Sequence, residues 1–216
     1  MTDLHSHILF GVDDGARNPQ ESIEMLQRAA QEGVTCIVAT PHALHPAMDT
    51  QPARRAFREL QPFARDMGIE MRLGYECNLS ALRVDDLAAA RRFCIEKTNV
   101  LLVEFPFDNW PGTWREILYG LQAEGMRLVL AHPERYRPIQ RDPRMLDSLA
   151  EMGVRLQVNA ASLQGWFGAK QGIARRIVKA GCIAALGSDA HSAQDYAGFA
   201  RIARRVPAEA LNPAFL

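Results

Sequence analysis

Short apolar runs alternate with stretches of helical periodicity along the whole chain. The runs are DLHSHIL from Asp3, TCIVAT (Thr35–Thr40), IEMRLGYE (Ile69–Glu76), VLLVEF (Val100–Phe105), RLVLAH (Arg127–His132), VRLQVNA (Val154–Ala160) and CIAALGSD (Cys182–Asp189). Most are continuously apolar, the pattern of parallel strands covered on both faces. Between them lie amphipathic segments. In PQESIEMLQRAAQEG, Ile23, Leu26 and Ala30 share a face, with Pro19 at the start and Gly33 past the end. PARRAFRELQPFARDMG, GTWREILYGLQAEG, DPRMLDSLAEMG, GAKQGIARRIVKAG and AQDYAGFARIARRV follow the same plan, and the first four of these end in Gly just before the next strand or loop.

Seven strand–helix units without a break in composition predict one α/β domain over residues 1–216, with parallel strands and right-handed crossovers. Alternation alone fits a closed barrel or an open doubly wound sheet. The segment 97–116, rich in Pro, Trp and Phe, reads as an elaborated loop.

The 216 residues carry zero formal net charge, so no broad basic field is available to hold nucleic acid or an anionic membrane. No run approaches the ~20 apolar residues of a membrane span. The N-terminus has no basic, then apolar, signal pattern. Cys36, Cys77, Cys94 and Cys182 are scattered without a CxxC, which predicts free thiols and a cytoplasmic location.

The chemistry lies at the strand ends. They carry His5 and His7, His42, Glu76, Glu104, His132, Asn159, and Asp189 with His191. A carboxylate ending a run such as VLLVEF is costly to bury without a cation or donors. Six of seven strands ending in His, Asp or Glu predict a metal centre, and only a closed barrel brings all those ends to one face. The period of two sets Asp3, His5 and His7 on one side of the first strand. Asp13 and Asp14 follow on the same rim. His and carboxylate ligands without Cys suit harder divalent metals.

DLHSH, VDDGA, TPH, GYE, VEF, AHPERY and GSDAH, in that order, resemble the PHP (polymerase and histidinol phosphatase) superfamily, and within it the bacterial CpsB/YwqE-type tyrosine phosphatases of capsule and exopolysaccharide synthesis. The motifs span positions 3 to 191. The resemblance implies a distorted (β/α)7 TIM-like barrel with three divalent metal ions, manganese foremost, with iron, zinc, cobalt or magnesium as other candidates. His5, His7, Glu76 and Asp189 would hold the first ion. Glu76, Glu104 and His132 would hold the second, and Asp14, His42 and His191 the third. Asp3 would orient an imidazole from behind. Arg135 would bind the substrate phosphate, with Asp14 and His42 in the catalytic group and Phe107 and Trp110 against the substrate ring. The implied reaction is hydrolysis of phosphotyrosine by metal-activated hydroxide. The implied substrate is a bacterial tyrosine autokinase controlling capsule or exopolysaccharide synthesis, and the implied assembly is a monomer or small homo-oligomer. Members of the branch often carry a further Arg shortly after SDAH. Here Tyr196 stands near that place, and Arg201 lies further on.

Other readings carry less. Cys77 and Arg83 have the C-x5-R spacing of cysteine phosphatases, but NLSAL between them has no glycine to turn backbone N–H groups around a phosphate. Trp114, Trp166 and Phe105 read as packing. The Arg pairs at 54–55, 91–92, 175–176 and 204–205 read as solvated helix faces. A small-molecule phosphomonoesterase, such as a histidinol-phosphate phosphatase, could use the same metal core. An amidohydrolase would want a bridging Lys at mid-barrel, and none of Lys97, Lys170 and Lys179 ends a strand.

Overall fold

The computed structural model describes residues 1–82, 86–165 and 168–216. Arg83 and Trp166 lie outside the described residues. Among these, the strands are β1 (Thr2–Ser6), β2 (Cys36–Ala39), β3 (His42–Ala43), β4 (Glu70–Leu73), β5 (Glu76–Asn78), β6 (Val100–Glu104), β7 (Arg127–Leu130), β8 (Arg155–Asn159) and β9 (Ile183–Gly187). All pairings are parallel. One sheet runs β1-β2-β4 and the other β3-β5-β6-β7-β8-β9. The predicted second and third strands are thus each broken in two, at Thr40-Pro41 and at Gly74-Tyr75. Pro41 has no N–H to give a ladder, yet its carbonyl accepts from Glu76 N at 3.1 Å and links the halves. The ring closes where Ser6 bridges Ala190 and Asp189 N donates to the His5 carbonyl. The result is a closed, distorted parallel α/β barrel with seven strand positions around its axis.

The helices α1 (Pro19–Gln31), α2 (Gln51–Asp66), α3 (Trp114–Ala123), α4 (Arg137–Arg141), α5 (Met145–Glu151), α6 (Ala169–Lys179), α7 (Phe199–Ala203) and α8 (Ala208–Leu211) clothe the barrel. Helix α1 shows why the sequence signals work. Asn18 accepts from Glu21 N, Pro19 fills the first turn, and Gly33 at φ 78° turns the chain toward β2. The third unit departs from expectation: between β5 and β6 the described chain forms 3-10 turns (Leu79–Ala81, Leu87–Phe93) and no α-helix.

Two apolar layers result. The larger lies between strands and helices. The smaller fills the barrel interior with Leu4, Val38, Ile95, Val100, Leu102, Val129, Ala131 and Ala185, and Phe215 and Leu216 pack against it. Along β6, Val100 and Leu102 face inward while Leu101 and Val103 face the helices. Glu104 therefore continues the inward row. No helix among the described residues is long and apolar enough to cross a membrane.

Candidate metal centre

The carboxyl ends of the strands converge on one cluster of imidazoles and carboxylates. His5 Nε2 lies 3.1 Å from His7 Nε2, 3.3 Å from Glu76 Oε2 and 3.4 Å from Asp189 Oδ1. His7 Nε2 lies 3.4 Å from the same Asp189 oxygen and 3.5 Å from Glu76 Oε2. The four groups expected around a first ion are thus together. Around Glu76 the arrangement differs from expectation. His132 Nε2 meets Glu76 Oε1 at 2.7 Å and groups with His5, whereas Glu104 groups with Glu76 and His42. His42 Nδ1 stands 3.1 Å from Glu76 Oε2 and 3.7 Å from Glu104 Oε1. Asp14 Oδ1 lies 3.4 Å from His42 Nε2 and 3.3 Å from His191 Nε2, and His7 joins that group.

Three imidazoles are each held at Nδ1 by an acceptor, which leaves Nε2 facing the cluster, where a cation can replace a proton. His7 Nδ1 donates to Asp13 Oδ2 at 2.7 Å, His5 Nδ1 to Gln157 Oε1 at 3.0 Å, and His191 Nδ1 to the Asp189 carbonyl at 2.9 Å. Acceptors behind the ring that turn bare nitrogens toward one point are the usual support of a metal site. His42 Nδ1 is buried between the carboxylates of Glu76 and Glu104, 3.1 and 3.7 Å away, which fits the same use. The donor set suits divalent ions that take nitrogen and oxygen together. From the sequence Asp13 had a place on the rim but no role, and Gln157 was not singled out. Gln157 had a signal, since it sits two residues before Asn159 on the inward row of an apolar strand. Asp13 had none to separate its role from that of Asp14.

Asp3 does something other than expected. Its carboxylate accepts from Ser188 N and Oγ and from the Tyr196 hydroxyl at 2.7–2.8 Å, and it touches no imidazole. The reason is a bulge. Thr2 and Asp3 pair with Cys36 and Ile37, but Ser6 pairs with Ala39, so β1 carries one extra residue. The strict period of two is lost there. Leu4 joins the interior cluster, while Asp3 and Ser6 both meet the Tyr196 hydroxyl. Tyr196 is accordingly a buried pin between β1 and the helices, not a member of a phosphate pocket.

The backbone is also bent to the site. His132 and Asp189 adopt left-handed conformations, at φ 33° and 54°. Such residues cost about 1–3 kcal/mol each and persist where the surroundings over-determine them. Gly15 is required for close approach, since a Cβ there would come within 2.6 Å of His7 Cβ.

Charge is balanced tightly. Burial works to lower the His5 pKa, but Glu76 and then Asp189 raise it to about 9. Glu76 and Asp189 stay ionised well below the usual carboxylate range despite burial, because imidazoles surround them. Burial, reinforced by repulsion from Glu76, lifts Glu104 to about 7. His132 is lowered by burial. Bound cations would relieve the repulsion between Glu76 and Glu104 directly.

Above the cluster opens a cleft of about 370 Å³. Arg135 is the one Arg or Lys among its described lining residues; its Nη1 donates to Asp189 Oδ2 at 2.6 Å and its guanidinium lies 4.3 Å from the Phe107 ring centre. Phe107 lines the cleft as expected. Trp110 does not: it packs behind Phe105, with ring centres 4.3 Å apart, and against Trp114 and Tyr136. Cys77 is buried and its thiol is pushed up to about 12 by burial, the opposite of an activated nucleophile.

A closed parallel barrel with imidazoles and carboxylates converging at its strand ends has the architecture and donor set of a metal-dependent hydrolase. The chain belongs to the capsular polysaccharide synthesis family CpsB/CapC, whose model matches residues 1–204. It is 36% identical over 197 residues to the tyrosine-protein phosphatase YwqE of Bacillus subtilis, covering 89% of this chain and 78% of that protein. It is 28% identical over 179 residues to the tyrosine-protein phosphatase CpsB of Streptococcus pneumoniae, covering 79% and 72%. Among solved structures it resembles a chain from the crystal structures of YwqE from Bacillus subtilis and CpsB from Streptococcus pneumoniae, metal-dependent tyrosine phosphatases. The TM-score is 0.77 at 32% identity, covering 91% of this chain and 81% of that one.

Proposed function

We propose that this chain is a metal-dependent protein-tyrosine phosphatase, a phosphoric monoester hydrolase acting from a single catalytic domain over residues 1–216. The observation that carries the reading is the convergence of His5, His7, Glu76 and Asp189 beneath a cleft edged by Arg135 and Phe107. His5, His7, Glu76 and Asp189 would hold one ion, Asp14, His42 and His191 another, and Glu76 a third together with Glu104 and His132, which a cation would draw together from the separate groups they join here; manganese is the first candidate. Bound there, divalent ions supply Lewis acidity toward water and phosphate oxygens.

The chain's own residues do the rest. Arg135 offers further N–H donors to the phosphate while Asp189 holds its Nη1. Phe107 gives the substrate ring an apolar face. Asp14, at the exposed rim between His42 and His191, can take the proton released as water attacks phosphorus and the P–O(aryl) bond breaks. The phenolate is a good leaving group, so no strong acid is demanded of the site. The substrate we propose is the phosphotyrosine of a bacterial tyrosine autokinase controlling capsule or exopolysaccharide synthesis, met in the cytoplasm. The capsular family and the four free thiols support this setting.

Turnover of a phosphotyrosine peptide and of histidinol phosphate by the manganese-loaded protein tests the reading. The peptide is expected to give the larger kcat/KM; a larger value for histidinol phosphate would assign a small-molecule phosphatase instead.

A further inference from the structure

Four large hydrophobic side chains are exposed among the described residues: Leu44, Phe63, Phe107 and Tyr119. Two of them, Leu44 and Phe107, line the same cleft. Phe107 has structural company, since it stacks under Arg135 and against Tyr136. Leu44 has none. It is 62% exposed and belongs to neither apolar cluster.

Leu44 is nevertheless held in place. It directly follows β3, whose Ala43 is buried and whose register with β5 sets His42 opposite Glu76. Beyond it, Arg92 donates to the carbonyls of Pro46 and Met48 at 3.4 and 3.2 Å, and Met48 N donates to the His45 carbonyl at 3.0 Å. A single exposed leucine is ordinary, but one fixed at the lip of a charged cleft that holds a second exposed apolar side chain, Phe107, offers a ligand apolar surface to cover.

The cleft has two unlike sides. The loops after β3 and β6 give Leu44, Phe105, Pro106 and Phe107. The loops after β1, β7 and β9 give Asp14, Arg135, Asp189 and His191. A phosphoester whose phosphate meets Arg135 must lay its organic part beside the apolar side or leave it in water. An aryl group offers that apolar side far more apolar surface than a methyl group does.

We infer that Leu44 is a specificity-determining residue which, together with Phe107 on the apolar side of the cleft, packs against the aryl ring of the phosphoester and selects aryl over alkyl phosphates. This rests on the phosphatase reading of the same cleft, so the test is one of binding and not of turnover. Calorimetry would measure phenylphosphonate and methylphosphonate, neither of which is hydrolysed, on the metal-loaded protein and on its Leu44→Ser and Leu44→Met variants.

The wild type is expected to bind the phenyl compound at least about tenfold more tightly than the methyl one. Leu44→Ser should weaken phenylphosphonate about fivefold and leave methylphosphonate within about twofold, and Leu44→Met should restore the wild-type ratio. Metal content measured alongside should be the same in all three. No phenyl preference in the wild type, equal losses for both compounds, or no binding of either would overturn the inference. The two readings separate cleanly. A wild type active on phosphotyrosine whose phenyl preference survives Leu44→Ser refutes the role of Leu44 alone. An inactive wild type whose phenyl preference is lost in Leu44→Ser refutes the phosphatase and supports Leu44.

Discussion

The barrel interior has two halves built from the same strands. The lower half is Leu4, Val38, Val100, Leu102, Val129, Ala131 and Ala185, closed off by Phe215 and Leu216. The upper half is His5, Gln157, Glu76, Glu104, His132 and Asp189, all largely buried. On β6 the change takes two residues, from Leu102 to Glu104. The lower half gains stability from removing apolar surface from water. The upper half spends it, because buried charges are desolvated and His132 and Asp189 sit in left-handed backbone. The fold tolerates a strained, charged site because the other half of each strand does not share its strain.

Substitutions on either side of that boundary should separate activity from stability. Glu76→Ala removes the carboxylate that meets His5, His42 and His132. It should lower turnover by about 10³-fold or more and reduce bound metal in elemental analysis. Leu102→Ala, two positions below Glu104, should leave metal stoichiometry unchanged and cost about 2–5 kcal/mol in urea unfolding.

Within the upper half, Asp13 and Asp3 form a sharper pair. Asp13→Ala should weaken metal binding about 10–100-fold, because it frees the His7 ring. Asp3→Ala should destabilise the fold through the unpaired Ser188 and Tyr196 hydroxyls, with metal affinity changed far less. Competition with a metal-sensitive dye reads the first effect and thermal unfolding the second. Equal loss of metal affinity in both would mean that Asp3 supports the site after all.

The last effect concerns Glu134, which lies in the same upper layer but joins none of the candidate ligand groups among the described residues. Its Oε1 accepts from Asn159 N at 3.0 Å and its Oε2 has no partner. Burial raises its pKa from an ordinary 4.5 to about 7. Between those values the folded protein keeps a proton that the unfolded chain has lost, so this group's contribution to stability falls as pH rises through the window. Glu134→Gln should remove that slope and raise stability at pH 8 by up to about 3 kcal/mol. Unfolding free energies from pH 5 to 8 would check the sign; a steeper slope in the variant would contradict it.

Much of this division was legible in the sequence, for physical reasons. An apolar run ending in a carboxylate, as in VLLVEF, has few explanations other than a charged cluster. Helix starts and ends followed from residues such as Pro19 and Gly33 because those residues act locally. What escaped depends on distant partners. The extra residue in β1 leaves no mark on the pattern DLHSH, so Asp3 read as a companion of His5 when it faces Ser188 and Tyr196. The breaks in the second and third strands follow Pro41 and Gly74, which were in view. Gly74 yields because a Cβ there would meet Ile95 Cγ1 at 2.8 Å, a contact from a segment 21 positions on. Trp110 looked like a ring platform by its proximity to Glu104, and only packing against Phe105 and Trp114 shows its place behind the wall.

The central claim is that the polar half of the barrel works as a metal centre for phosphotyrosine hydrolysis. Its most direct test is turnover of a phosphotyrosine peptide by protein stripped with a chelator and then reloaded with manganese, with metal content measured at each stage. The account predicts that activity disappears with the metal, returns with reloading, and survives Cys77→Ser. Full activity in the metal-free protein, or its abolition by Cys77→Ser with metal retained, would contradict it.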